Sequence, residues 1–300
     1  ADGIGLATAT VDISGHSLGG HLAMAFSRLF PSNTGSAMGV NGLGFLPTNS
    51  NVNNLFAMLG GATGFDASKI LNVYGERGFE VAAQDTYLRQ VGGYQGIEIE
   101  SAGLSAGLGH SAVPMTDSLA VYNLFAMLDP ALNASGAAGI QTITKIIKAS
   151  SGTTNRSLER ALDTLRTLFQ EHYAFGTLGS NATPTATDNR DAFYTNALAL
   201  EAYIKDLPFY NATTQTLGLT LQSLTGRDQA TLVTNAQTDI AYRYALHQLN
   251  PYVIGNAGAL YNAINNANGE LNLYNSTTHT GSLTTEYLKD RAAFLTNKIN

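Results

Sequence analysis

The sequence predicts an α/β layer of mostly parallel strands over residues 1–130, followed by a mainly helical region over 131–300. Three observations predict it. Strand-length apolar stretches alternate with helical patterns up to Pro130, which is the order that βαβ units produce. Beyond that point helical spacing dominates, with Asn-, Gly- and Thr-rich linkers. The chain is 44% hydrophobic, enough to bury a core and too much for disorder, although only 13% of its residues are charged.

The elements follow in order. Residues 9–14 (ATVDIS) read as a short strand, with Val11 and Ile13 alternating against Asp12 and Ser14. Gly15-His16-Ser17-Leu18-Gly19-Gly20 comes next. A helix then places Leu18, Leu22, Ala25, Phe26, Leu29 and Phe30 at helical spacing and ends at Pro31-Ser32-Asn33. Residues 36–41 suit a second strand, and 42–68 are rich in Gly, Asn and Thr around a small helix near 52–59. KILNVYGE (69–76) is the strongest strand, followed by a helix near 79–90 and a strand at 96–101. Residues 102–113 form a Gly/Ser-rich loop, and 116–129 a helix opened by Asp117 and stopped before Pro130. Further helices are expected at 157–173, 189–206, 228–248 and 284–298. NLFAML occurs twice, at 54–59 and 123–128, without the sustained period of a repeat array.

Composition excludes several functions. A net charge of -6 with no basic run leaves no face to neutralise phosphates, so no nucleic-acid partner is expected. Zero cysteines remove disulfides, thiolate zinc sites and a thiol nucleophile. No apolar run approaches the roughly 18 residues of a membrane span. Neither a calcium loop nor a glycine-rich calcium repeat is present, so no metal or cofactor is expected; Asp188, Asn189 and Asp191 read as helix starts.

Gly-x-Ser-x-Gly is short enough that roughly 0.2 matches arise by chance in a chain of this composition, so context must decide. Gly103-Leu104-Ser105-Ala106-Gly107 also matches, but Gly and Ser continue around it and no helix follows at once, which is the look of a flexible loop. Ser17 has a strand before it and a helix after it. A nucleophile elbow needs that abrupt turn, which places Oγ on a strained, exposed tip. Glycines at 15 and 19 are expected where a Cβ would collide with neighbouring backbone. The helix N-terminus then offers the Leu18 N–H to a developing oxyanion.

VDISGHSLGGHLA resembles the elbow of α/β-hydrolase lipases, and among these it is similar to class-3-like lipases and to bacterial lipases exported with RTX-type tails. The resemblance implies a partial α/β-hydrolase sheet, its C-terminal half, and a serine carboxylic-ester hydrolase acting through an acyl-enzyme on a lipid or other ester, with peripheral contact to a lipid surface. Ser17 would be the nucleophile. The family order puts the base after the eighth strand, which selects His110 in its Gly-rich loop between a strand and a helix. His16 and His21 flank the elbow and point elsewhere; His172, His247 and His279 lie in the helical region. The acid should follow KILNVYGE, where hydrolases often show G-E-x-D-x-x-V, but here Gly78 stands in place of that aspartate. Glu80 is favoured by its spacing to Val81, Glu76 stands nearly level with it, and Asp85 is the outside choice.

The same resemblance implies four strands before the elbow strand. The residues ahead of Ser17 cannot hold them, so the chain reads as the C-terminal part of a larger polypeptide, and the 300 residues alone are expected to be inactive or nearly so in ester turnover. Secretion from a bacterium is the expected setting. The helix near 52–59 could cover an acyl pocket or pack permanently on the sheet. A non-catalytic hydrolase-like module of a large secreted adhesin or toxin is the alternative reading.

Overall fold

The computed structural model describes residues 9–76, 88–100, 109–151, 158–169, 191–214 and 216–299. The described residues up to Ser118 form one compact unit and those from Leu119 onward another, with the division inside a helix.

The first unit is an α/β layer. Strands β1 (Val11–His16), β2 (Thr34–Val40), β3 (Ile70–Gly75) and β4 (Gly93–Ile97) lie side by side in chain order, every pair parallel. The register sets Gly15 beside Gly39, Gly39 beside Asn72, and Gly75 beside Ile97. β1 alternates as its sequence implies, with Asp12 and Ser14 exposed.

Helix α1 (Leu18–Leu29) returns from β1 to β2. Only part of the apolar stripe seen in its sequence faces the core, where Ala25 and Leu29 pack. Gly20, Ala23, Met24, Ser27 and Arg28 are buried, whereas Leu18, Leu22 and Phe30 are exposed. Small residues win the inner face because backbone approaches backbone there: a Cβ on Gly20 would lie 3.0 Å from the Gly42 Cα and 3.1 Å from the Gly39 Cα.

The insert after β2 carries helix α2 (Ser50–Met58), capped by the Asn49 carboxamide. It is tied down on one side. Phe56 joins Met24, Ala37, Phe45 and Ile70 in the core, and the buried Arg28 guanidinium donates to Asn53 Oδ1 and to the carbonyls of Ala62 and Thr63. It also lies 4.3 Å from the Phe56 ring centre and 4.9 Å from that of Phe65.

Three expectations in this unit are corrected. The fourth strand runs over 93–97, not 96–101, because β3 ends at Gly75 opposite Ile97 and leaves the following residues without a partner strand; Glu98 and Glu100 are buried off the sheet. Of the helix expected near 79–90, residues 79–87 lie outside the described residues, while Arg89 forms an antiparallel bridge with Phe45. Helix α3 (Ala112–Leu128) begins ahead of Asp117, which is buried within it. Pro114 is tolerated in the first turn, where an N–H has no helical acceptor anyway.

The second unit is mostly helical. It continues from α3 through α4 (Pro130–Ala134), α5 (Ala137–Ser151), α6 (Leu158–Phe169) and α7 (Asp191–Asp206). After α8 (Gln229–Thr238) and α9 (Ile240–Gln248) come the single turn α10 (Gly258–Leu260) and α11 (Thr285–Ile299). The pattern expected as one helix over 228–248 is two, because Asp239 leaves helical geometry and caps α9 by accepting the Ala241 N–H. An antiparallel pair, β5 (Thr220–Ser223) with β6 (Tyr252–Gly255), was not foreseen. Its strands are four residues each, too short to show a period.

Candidate active site

The elbow is built by two close approaches. Gly15, one residue before the end of β1, lies so near the start of α1 that a Cβ there would be 2.3 Å from the Gly19 carbonyl carbon. Gly20 is hemmed in likewise, at 2.8 Å from the Gly15 oxygen. Gly19 itself has nothing within 4 Å of its would-be Cβ. The expectation that Gly19 is required sterically is therefore corrected: the crowded partner of Gly15 is Gly20, one residue on.

Between these glycines the chain must turn within one residue. Ser17 takes φ 56 and ψ -119, a conformation L-residues rarely adopt, and its N–H donates to the Val40 carbonyl at 2.9 Å. Helix α1 starts at Leu18, so the Leu18 N–H is among the donors that a first turn leaves without intrahelical acceptors.

His110 reaches back over the strand ends to this tip. Its Nε2 lies 2.8 Å from Ser17 Oγ, so the tautomer protonated at Nδ1 accepts the serine proton. His16, the residue before the nucleophile, holds the base in place: its Nε2 donates to the His110 carbonyl at 2.7 Å, with the two rings 5.2 Å apart. Burial, and secondarily the neighbouring His16, pushes the His110 imidazole below its ordinary value of 6.5. The neutral ring that can accept a proton is thereby favoured.

Asn41 was missed by sequence reasoning. It is fully buried at the end of β2, and its left-handed φ of 49 turns the carboxamide between two other strand ends. Its Oδ1 accepts the Gly75 N–H at 3.2 Å and its Nδ2 donates to the Gly109 carbonyl at 3.1 Å, directly before His110. Asn72, also fully buried, closes the next turn by accepting from the Gly42 N–H and donating to the Gly42 carbonyl. The available signal was a lone polar residue in the apolar run ILNVY and a Val-Asn-Gly turn after a strand.

The other candidates fall as follows. Glu76 is exposed just beyond β3, where its Cγ lies close over Gly96, and no hydrogen bond joins it to the His110 ring. Glu80 and Asp85 lie outside the described residues, as do Ser105 and His172. His110 Nδ1 is buried and has no hydrogen-bond partner among the described residues. His21 stacks on Phe45 and faces the Leu43 carbonyl, His247 bonds the Tyr287 hydroxyl, and His279 contacts the Tyr274 hydroxyl.

Among the described residues no group of His, Asp and Glu could hold a metal ion, and no helix is long and apolar enough to cross a membrane. Comparison with family models, curated proteins and solved structures found no match.

Proposed function

We propose that the chain is a serine carboxylic-ester hydrolase, lipase- or esterase-like, built on the C-terminal half of an α/β-hydrolase sheet. The observation that carries this is Ser17 in a strained left-handed turn with His110 Nε2 at 2.8 Å. The order nucleophile after β1, acid loop after β3 and histidine after β4 supports it, as does the parallel pairing of all four strands. Ser17 Oγ attacks the ester carbonyl carbon as His110 takes its proton; the Leu18 N–H receives the oxyanion. His110 then returns the proton to the departing alcohol. Water, deprotonated by the same imidazole, attacks the acyl carbon; the C–O bond to Ser17 breaks, His110 returns the proton to Ser17 Oγ, and the acid is released. The third member of the triad is the carboxylate of Glu80, since Glu76 makes no bond to His110 Nδ1.

The substrate class follows from what surrounds the nucleophile. Leu18 and Leu22, one turn apart on α1, are 59% and 57% exposed, and Val113, three residues after His110, is 49% exposed. Elsewhere on this unit Leu55 and Met58 of α2 and Leu59 just after it are also exposed. Apolar surface of this kind suits acyl chains and contact with a lipid surface. Extracellular action in a bacterium fits the same reading.

The test is accumulation of the acyl-enzyme. Incubation with a p-nitrophenyl ester should release about one equivalent of nitrophenol in a burst and add one acyl mass to the peptide holding Ser17. Ser17→Ala should remove both. A burst that survives Ser17→Ala would overturn the assignment. The non-catalytic module is favoured by one observation, the buried Nδ1 of His110 without a partner among the described residues; absence of any burst in the folded chain would decide for it.

A further inference from the structure

His110 is held by the two carbonyls that flank its Cα. The Gly109 carbonyl accepts from Asn41 Nδ2 at 3.1 Å, and the His110 carbonyl accepts from His16 Nε2 at 2.7 Å. Each belongs to a planar peptide group, so anchoring both planes fixes φ and ψ of His110 and the direction of its Cα–Cβ bond. Side-chain rotation alone then brings Nε2 to 2.8 Å from Ser17 Oγ. The sequence sets one end of this clamp beside the nucleophile. His16 is the last residue of β1 and Ser17 follows it directly, so clamp and nucleophile move as one piece.

His16 is also a second imidazole beside the base, with ring centres 5.2 Å apart. Its Nε2–H is given to the His110 carbonyl, so a further proton enters at Nδ1 and strengthens that bond. A proton on His110 Nε2 does the opposite, because that atom must be bare to accept from Ser17 Oγ. Two imidazolium rings at this spacing repel each other, and burial already disfavours charge on His110 ahead of the effect of His16. The first proton therefore goes to His16. Among the described residues, the elements around the pair bring these further titratable groups. α1 carries His21, stacked on Phe45, and Glu76 stands exposed beyond β3. Glu98 and Glu100 are buried after β4, and Asp117 is buried in α3. Each of them acts alike whether or not His16 is present, so a comparison at that one position isolates its effect.

We propose that His16 is a positioning residue of the ester hydrolase with a second duty: it clamps the His110 main chain for attack, and as an imidazolium it repels a proton from the His110 ring. The inference rests on the reading of Ser17 and His110 as nucleophile and base. It names what extends that site's working range toward acid.

The charge effect is read without turnover. NMR titration of the whole chain, isotope-labelled at the ring Cε1 of its six histidines, follows His110 directly, with His110→Ala assigning its signal. His16→Gln keeps an N–H donor of the same reach and removes the charge. The His110 midpoint should move to higher pH in this variant; a midpoint that stays or falls overturns the inference. Positioning is read from the nitrophenyl ester burst at a pH where both rings are neutral. His16→Leu should lower kcat about five- to tenfold with KM little changed, and His16→Gln should restore most of that loss. A Leu variant as fast as the parent, or no rescue by Gln, overturns the clamp. A moved midpoint in a chain that shows no burst strikes the hydrolase reading and leaves the charge effect standing. A burst with an unmoved midpoint strikes this inference alone.

Discussion

At Ser17 the backbone holds a conformation that costs about 1–3 kcal/mol for a residue with a side chain, and the surrounding glycines and the Val40 hydrogen bond maintain it. Gly15 and Gly19 separate geometry from motif. Gly15→Ala should prevent the turn from closing and lower the melting temperature sharply. Gly19→Ala should leave the melting temperature within a few degrees of the parent, because open space awaits its methyl group. Equal sensitivity at both positions, measured by thermal denaturation, would show that the turn is not held by the Gly15 contact. The pH profile also belongs to this scale. The folded-state pKa of His110 is lowered, so the attacking pair is competent above that value and is lost as pH falls through it. The stability due to the neutral ring is likewise present above about 6.5 and lost on acidification through the lowered value. The rate of acylation should therefore rise with an apparent pKa below the ordinary imidazole value. An apparent pKa above it would show that burial around the ring does not set the titration of the base.

At the scale of elements, Asn41 ties the end of β2 to the end of β3 and to the turn before His110. Asn41→Ala removes both side-chain bonds and leaves the Gly75 N–H and Gly109 C=O buried without these partners, at about 1–3 kcal/mol each. Chemical denaturation should show a loss of that order, and the acylation rate should fall further than the substrate KM rises, since the change moves the base rather than the binding surface. Unchanged acylation in a destabilised Asn41→Ala protein would mean that His110 is placed by other contacts. The same scale explains what the sequence concealed. The strand–elbow–helix unit was legible because Val11 and Ile13 alternate and glycines punctuate the turn. The Ile-Glu-Ile-Glu alternation at 97–100 misled, since period alone does not reveal where a neighbouring strand stops. The α1 stripe misled in a different way: Leu18, Leu22 and Phe30 keep helical spacing yet face outward, because the sheet side of α1 needs Gly20 and Ala23.

Over the whole molecule, four parallel strands bring together side chains 93 residues apart in sequence, Ser17 and His110, at hydrogen-bond distance. That pairing was legible from the motif and from the order of elements along the chain. The clamp by Asn41 and the support from His16 were not, because each depends on contacts between segments that sequence spacing does not relate. The helical region was legible as helices, but the hydrogen bond from the Leu221 N–H to Asp129, the residue capping α4, joins distant positions and leaves no local pattern. The central claim concerns the whole assembly of the site. It is tested most directly by reacting the chain with a fluorophosphonate probe and mapping the labelled residue by mass spectrometry. The account predicts one label per chain, on Ser17 and not on Ser105, with labelling abolished by His110→Ala while the circular dichroism spectrum is kept. Label on Ser105, no label at all, or labelling of Ser17 that persists undiminished without His110 would contradict it.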